Sequence, residues 1–599
     1  MAGHKFDLQF GRRGLPTRAG PGGGGWPIAD GPLAIALVML SKHGNICGSE
    51  ERGCKAMMKV ALSALVALVA VVANAANPEP DPGVFETSIL PAPQSQIDRL
   101  VRARLSELGM QPVLCSDAVF IRRVYLDVIG LLPTAQEVRE FLQDPDTQNK
   151  RGILIDRLLG REEFAQYWAM KWGDILRIKA EFPVNLWPNA AQAYHRWVQA
   201  SIARNKPYDQ FARELLTSSG SNFRVGPVNF YRAIQDRTPE GIASAVALTF
   251  MGARADAWPK GQLTGMAACF SQIGYKPTRE WKEEVVFWDP LNTGAPETNS
   301  ATNVSASART NAASQTAVLP DGTRLKLSPE RDPRDVFADW LITPRNPWFT
   351  RNIANRVWSW LLGRGIIHEP DDIRSDNPPG NPALLAYLEK ELVTSRYNLK
   401  HLYRLILNSQ TYQFSSRPCT DVAQGEANFG SYSVRRLEAE VLIDAINQVT
   451  GTSDLYTSAI PEPFTYIPAN QPAVALADGS ITSTFLALFG RSARATGMEN
   501  ERGNKMLSAQ WLHLLNSSHI QRKLEQGPKL KEIINSRRKS PEMTEELYLT
   551  ILSRYPTPAE VKTVEDYGRP ARPRAAKKRE DWVDIAWALI NSTEFLYRH

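Results

Sequence analysis

One phrase occurs twice in this chain, near its two ends. YLDVIGLLPTAQEV at Tyr125–Val138 matches YLTILSRYPTPAEV at Tyr548–Val561 without a gap. Each copy holds an apolar run, a proline that breaks it, and a threonine followed three residues later by glutamate: Thr134 with Glu137, and Thr557 with Glu560. Proline cannot continue a helix, and the Thr/Glu spacing is that of a capping box opening a new one. The unit is therefore helix–break–helix, and it commits the chain to helical architecture at both ends. Each copy is followed by a helical pattern that reaches Glu-Phe, at Glu163-Phe164 and Glu594-Phe595. A second phrase, Leu/Ile-Asn-Ser, recurs at 407–409, 515–517 and 590–592. Asparagine tolerates the left-handed position that ends a helix and serine can cap the next, so these are expected to be helix punctuation, not catalytic groups.

The intervening chain supports the same class. Helical periodicity starts near Ile97 and runs through Leu100, Val101, Leu105 and Leu108, then through Phe120, Val124 and Val128 to Gly130. Further helices are expected over 150–180, with Phe164, Trp168, Ala169 and Trp172 on one side, and over 190–220. Gly241–Met251 is apolar nearly all round and reads as a buried helix. The pattern then changes. Glu283–Trp288 reads as a strand, 292–315 as a flexible Asn/Thr/Ser/Ala loop, and Leu319–Leu327, with Asp321-Gly322 at its centre, as a hairpin. The fold expected is mainly α and multi-helical: two helical halves, over 97–280 and 332–599, separated by a small β-hairpin insertion at 281–331, with the internal helix–turn–helix repeat.

Candidate functional residues concentrate in Phe349–Pro382. Ile353, Val357, Trp360 and Leu361 recur at helical spacing, so an amphipathic helix is expected, ending at Gly363. Asp371, Asp372, Asp376 and Asn377 follow, before Pro378-Pro379-Gly380 forbids a regular element and Pro382 opens the next helix. Such a loop can supply oxygen ligands, with Asp371, Asp372 and Asp376 as candidate calcium ligands. His368 with Asp371 or Asp372 is the candidate acid/base group, and Arg356, Trp358, Arg364 and Asn377 are the candidate binding residues. Against these stands an arginine–aspartate clamp, in which Arg351, Arg356, Arg364 and Arg374 pair with the aspartates and tie down a long loop.

The net charge of +7 says little about partners. Residues 1–75 hold eight Lys/Arg and four Asp/Glu, so without them the formal charge falls to +3. No nucleic-acid partner is expected from that balance. Met57-Met58-Lys59, the Ala/Val/Leu run from Val60 to Ala73, and Ala73-Asn74-Ala75 form a signal peptide over 57–75. The apolar run is too short for a stable membrane span, so an exported chain without a transmembrane segment is expected in the periplasm, cell envelope or outside the cell. Residues 1–56 read as a non-native extension upstream of the true start, and 76–96 as a proline-rich linker. Past the leader only Cys115, Cys269 and Cys419 remain, with no C-x-x-C pair among them.

Taken together these phrases resemble a known family. RRVYLDVIGLLPTAQEV (122–138), DRLLGREEFAQYWA (156–169) and FMGAR (250–254) are similar to the PSCyt domain. ADWL (338–341), NRVWSWLLGRGI (355–366), DDIRSDNPP (371–379), LLAYLEKEL (384–392), LILNSQTYQ (405–413), LHLLNSSHIQ (512–521) and the terminal NSTEFLYRH are similar to its partner PSD domain. The pair resembles the secreted planctomycete cytochrome-associated family, whose biochemical activity is unassigned, and the resemblance covers nearly all of 95–599. Relatives commonly carry C-x-x-C-H soon after the equivalent of Phe250–Arg254. Here Ala255-Asp256-Ala257-Trp258 follows, so the resemblance implies a copy without covalently bound haem c. The segment GMENERGNKM (497–506) also lacks cysteines expected in some relatives.

No G-x-S-x-G, P-loop or H-E-x-x-H is present. The histidines are scattered, and His513 and His519, six apart, do not share a helix face. Trp168, Trp172, Trp187, Trp197, Trp348, Trp358 and Trp360 suit either a helical core or platforms for sugars. The leading expectation is a non-haem interaction or scaffold protein of the envelope, with no cofactor and an envelope protein as partner. The alternative is a polysaccharide-binding or -processing protein that uses the acidic loop and the tryptophans.

Overall fold

A computed structural model describes residues 82–599 except 88–89, 182–185, 293–314, 419–420, 537 and 569–576. The expected extension, the leader, most of the 292–315 loop and Cys419 lie outside the described residues. Among those described, the chain is mainly α. The helices that organise it are α1 (Asp117–Val128), α2 (Ala135–Gln143), α3 (Glu162–Ile175), α4 (Pro188–Ala203), α5 (Phe349–Leu362), α6 (Ala439–Thr450), α7 (Ser508–Asn516), α8 (Ser518–Gln526), α9 (Ser540–Ile551) and α10 (Pro558–Asp566). Their buried side chains join in one core that runs from Ile97 to Leu596 and draws on both halves. No helix among the described residues is long and apolar enough to cross a membrane.

The two repeat copies form the same local structure and lie against each other. Thr134 and Thr557 each accept from the backbone N–H of the glutamate three residues on, and each glutamate accepts from the threonine N–H in return. The turn before each cap needs a left-handed residue, supplied by Gly130 (φ +67°) and at the equivalent position by Ser553 (φ +61°). Gly130 has a second reason to be glycine, since a Cβ there would stand 2.6 Å from the Tyr167 ring. Helix α9 packs on α2, and Arg139 reaches Glu546 at 2.7 Å.

Leu/Ile-Asn-Ser is helix punctuation, but by a different device than expected. Asn408 and Asn591 are not left-handed, with φ of −78° and −88°. Their side-chain amides instead donate back to the carbonyls of Arg404 and Trp587, both at 2.9 Å, closing the last turn from the side chain. The serines do cap: Ser517 and Ser592 accept from the backbone N–H groups of Ile520 and Phe595.

The strands are short. Glu284–Trp288 is the middle of three, between Gly220–Ser221 and Ile273–Pro277. Gln315–Val318 pairs with Arg324–Leu327 through a turn in which Gly322 has φ +82°. Tyr597–Arg598 pairs with Arg435–Arg436, which seats the C-terminus inside the second half.

Candidate functional site

Helix α5 ends where its sequence says, with Gly363 at φ +83°, but it is not amphipathic. It is buried nearly all round, and Asn355 and Arg356 face the loop that follows. Asn355 accepts from the N–H of Ile367 at 2.8 Å and donates to its carbonyl at 2.9 Å. Asn352 donates to the Thr249 carbonyl at 3.0 Å. That carbonyl is presented because the helix Pro239–Val246 loosens into a π turn over Ala247–Met251, ending at left-handed Gly252. A Cβ at Gly252 would meet Asn352 Oδ1 at 2.6 Å, and the Gly252 carbonyl accepts from Ile373 N–H at 2.8 Å. The loop is thus stitched to the first half.

Two candidate residues meet at the centre. Arg356 donates to Asp371 Oδ1 at 2.7 Å, with side-chain exposures of 1% and 3%. Asp371 Oδ2 accepts from the backbone N–H of Glu499 at 2.6 Å. Glu499 also accepts from Trp360 Nε1 at 2.9 Å and stands 3.8 Å from Arg356 Nη1. Burial raises the Glu499 pKa above the usual carboxylate value, and Lys171 and Arg356 offset only part of that. Glu499 was not anticipated. It sits in GMENERGNKM, where the signal available was a pair of glutamates between glycines.

The other candidates go elsewhere. Asp372 and Asp376 share Arg374, at 3.2 and 3.5 Å, on the exposed edge of the loop. Asn377 donates to the carbonyls of His368 and Asp372, a backbone clamp and not a ligand contact. Among the described residues the His368 ring makes no hydrogen bond, and Asp371 is taken by Arg356. The expected acid/base pair is therefore not assembled. Partial desolvation, and Arg364 after it, hold the His368 pKa below the usual imidazole value. Arg351 pairs with Glu389 at 2.8 Å instead of an aspartate. Trp358 is buried edge-on against Phe429, with ring centroids 5.1 Å apart. Among the described residues no group of three or more His, Cys, Asp or Glu could hold a metal ion. The arrangement provides charge compensation and loop anchoring.

Behind it lies a buried ionic network that the sequence did not reveal. Lys171 of α3 pairs with Glu438, whose other oxygen is 2.6 Å from Arg598. Burial opposes ionisation of Glu438, but Arg598, Lys171 and Arg502 together hold its carboxyl well below the usual range. Asp174 bridges Arg494 (3.0 Å) and Arg502 (2.6 Å), and Arg502 continues to Glu440 at 2.7 Å. Of the tryptophans offered as sugar platforms, Trp168, Trp172, Trp358 and Trp360 are core, while Trp187, Trp197 and Trp348 are half-buried.

One cluster forms between residues that do not share a helix face. His513 Nε2 and His519 Nδ1 lie 3.4 Å apart, and His519 Nε2 lies 2.7 Å from Asp454 Oδ1. They meet because they belong to different helices, α7 and α8, joined by a turn at Ser517. Cys115 and Cys269 are both buried and free.

Comparison with known proteins gives two family matches. PSCyt2, protein of unknown function (DUF1549), matches residues 96–268, and PSD1, protein of unknown function (DUF1553), matches residues 333–567. No curated protein and no solved structure matches. The order and extent of the two matches place the chain in the family built from a PSCyt2 domain followed by a PSD1 domain, both of unknown function.

Proposed function

We propose that this protein is an exported, non-haem interaction or scaffold protein of the cell envelope. The observation that carries the proposal is the use made of the acidic loop. Arg356, Asp371 and Asn377 are spent on internal contacts, and Asn352 and Ile373 bind the loop to Thr249 and Gly252 of the other matched region. The two family regions are thereby built into one body with a common core. A fixed body offers surfaces, and several large apolar side chains stand exposed on this one, among them Leu455, Tyr466, Leu507 and Leu512. Isolated exposed apolar residues are ordinary, so the proposal needs a direct test of contact.

That test has two parts. The chain from Met57, expressed with its own leader, is expected in the periplasmic fraction with its N-terminus at Ala76. An uncleaved leader in the cytoplasmic fraction refutes export. A photo-crosslinking residue placed at Leu512 or Tyr466 is expected to give a discrete adduct with an envelope component in intact cells. Absence of any adduct from either position refutes the interaction role. Co-expression with c-type haem maturation is expected to leave the purified chain without haem absorbance.

A further inference from the structure

A groove lined by none of the acidic-loop residues has the makings of a ligand site. It encloses about 410 Å3, within the range of about 300–1,000 Å3 typical of small-molecule sites. One wall is the start of α4, with Pro188, Gln192 and Arg196. The other is the loop Pro463–Pro468 with Gln471, and Asp478 closes it.

Two residues that line this groove each hold a buried oxygen without a partner. Asp478 is 1% exposed; its Oδ1 accepts from the N–H groups of Ala180 (2.7 Å) and Ser480 (2.8 Å), while Oδ2 is buried with no donor. Thr465, 7% exposed, has an unpartnered buried hydroxyl. Buried polar atoms are nearly always hydrogen-bonded, and an unmet one costs about 1–3 kcal/mol. A ligand in the groove that draws these two side chains outward would supply the missing donors.

The rim is aromatic. Phe464 is 48% exposed and Tyr466 74%, and Trp187 stands edge-on to Phe464 with centroids 5.2 Å apart. A ligand that satisfies all of this has a flat apolar face for the rings and hydroxyl groups at its edge. The hydroxyls donate to Asp478 Oδ2, exchange with Thr465, and meet the amides of Gln192 and Gln471 and the guanidinium of Arg196. Arg196 and Asp478 balance in charge, so the ligand need carry none. We infer that this groove binds a carbohydrate chain through Phe464, Tyr466, Thr465 and Asp478. The inference stands apart from the scaffold proposal, because the groove has the same chemistry whether or not the chain has a protein partner.

The test is the full chain on a glycan array spanning neutral, uronic-acid and sulfated polysaccharides, followed by calorimetry with the best soluble oligosaccharide. Binding to a defined glycan is expected. Tyr466→Ala is expected to weaken it tenfold or more without moving the melting temperature, since Tyr466 is exposed. Asp478→Asn, which keeps the side chain's shape and one carbonyl oxygen, is expected to weaken it by at least the same factor. No binding to any glycan overturns the inference, and so does binding that both variants leave unchanged. Preference for a charged glycan that survives Arg196→Gln and Asp478→Asn overturns it as well, by placing the site elsewhere.

Discussion

Arg598, one residue from the C-terminus, holds its Nε 3.0 Å from Oδ1 of Asp127 on the first repeat helix, and both side chains are 2% exposed. Asp127 Oδ2 accepts from the hydroxyls of Tyr412 (2.9 Å) and Tyr432 (2.7 Å). The strand Tyr597–Arg598 is therefore latched by charge to α1. Removing Arg598 takes a partner from Asp127 and from Glu438 at once, leaving them Arg435 (3.6 Å) and Lys171, and breaking buried pairs costs about 3–5 kcal/mol. Arg598→Ala is expected to lower unfolding free energy by about that much in chemical denaturation. Arg104→Ala, which breaks the exposed Arg104–Glu107 pair, is expected to change it by less than about 1 kcal/mol. Equal effects would show that Arg598 is no latch.

The acidic loop separates a clamp from a cation site. Asp371→Ala leaves buried Arg356 with only the longer contact to Glu499 at 3.8 Å, so a loss of about 3 kcal/mol is expected. Asp376→Ala, at an exposed position, is expected to change stability by no more than about 0.5 kcal/mol. Chelator and added calcium are expected to leave the melting temperature in place. A stoichiometric metal by elemental analysis, lost together with stability on chelation, would reverse this and restore Asp371, Asp372 and Asp376 as ligands.

What could be read from the sequence is what is decided locally. Thr134 and Glu137 are three residues apart, Gly363 ends its own helix, and Asp321-Gly322 turns its own hairpin, so each prediction needed only neighbours. Within the site an arginine–aspartate clamp was legible, but not which of Arg351, Arg356, Arg364 and Arg374 holds Asp371, because that choice depends on how the loop folds back on α5. Glu499 was not legible, because its position beside them depends on packing between distant segments. Lys171, Asp174, Glu438 and Glu440 stand in no motif of the sequence, yet all four are buried. Burial of a charge follows from finding a partner, and those partners are remote in sequence. His513 and His519 do not share a helix face, as their spacing says, but the sharp turn at Ser517 that brings them together was not legible from spacing.

Asp444 gives the chain a defined response to pH. Burial pushes its carboxyl up to about 7, although the N–H groups of Val474 and Ala473 donate to it at 3.0 and 2.8 Å. In the unfolded chain the same group titrates near about 4. Between these values the folded state holds a proton that the unfolded state has lost. The contribution of Asp444 is thus full below about pH 4 and declines as pH rises towards 7, by at most about 1.4 kcal/mol per unit. Wild type is expected to gain stability relative to Asp444→Asn on going from pH 7 to pH 5. Parallel profiles from thermal unfolding at each pH would contradict this.

The repeats allow the effect of burial to be isolated from that of geometry. In both copies one arginine joins the capping-box glutamate to the glutamate of the later Glu-Phe. Arg554 reaches Glu560 at 2.7 Å and Glu594 at 2.6 Å; Arg161 reaches Glu137 at 3.2 Å and Glu163 at 2.6 Å. The arginines come from different positions in the two copies, so the shared feature is the carboxylate pair. Their surroundings differ: Arg554 is 5% exposed and Glu594 10%, whereas Arg161 is 30% exposed and Glu163 31%. Water screens the first set less. Arg554→Ala is expected to lose about 3–5 kcal/mol, because Glu594 is left charged and buried. Arg161→Ala is expected to lose about 1 kcal/mol, because its carboxylates can turn to solvent. Similar losses in the two variants would show that burial does not set the strength of this contact, and that the shared capping geometry does.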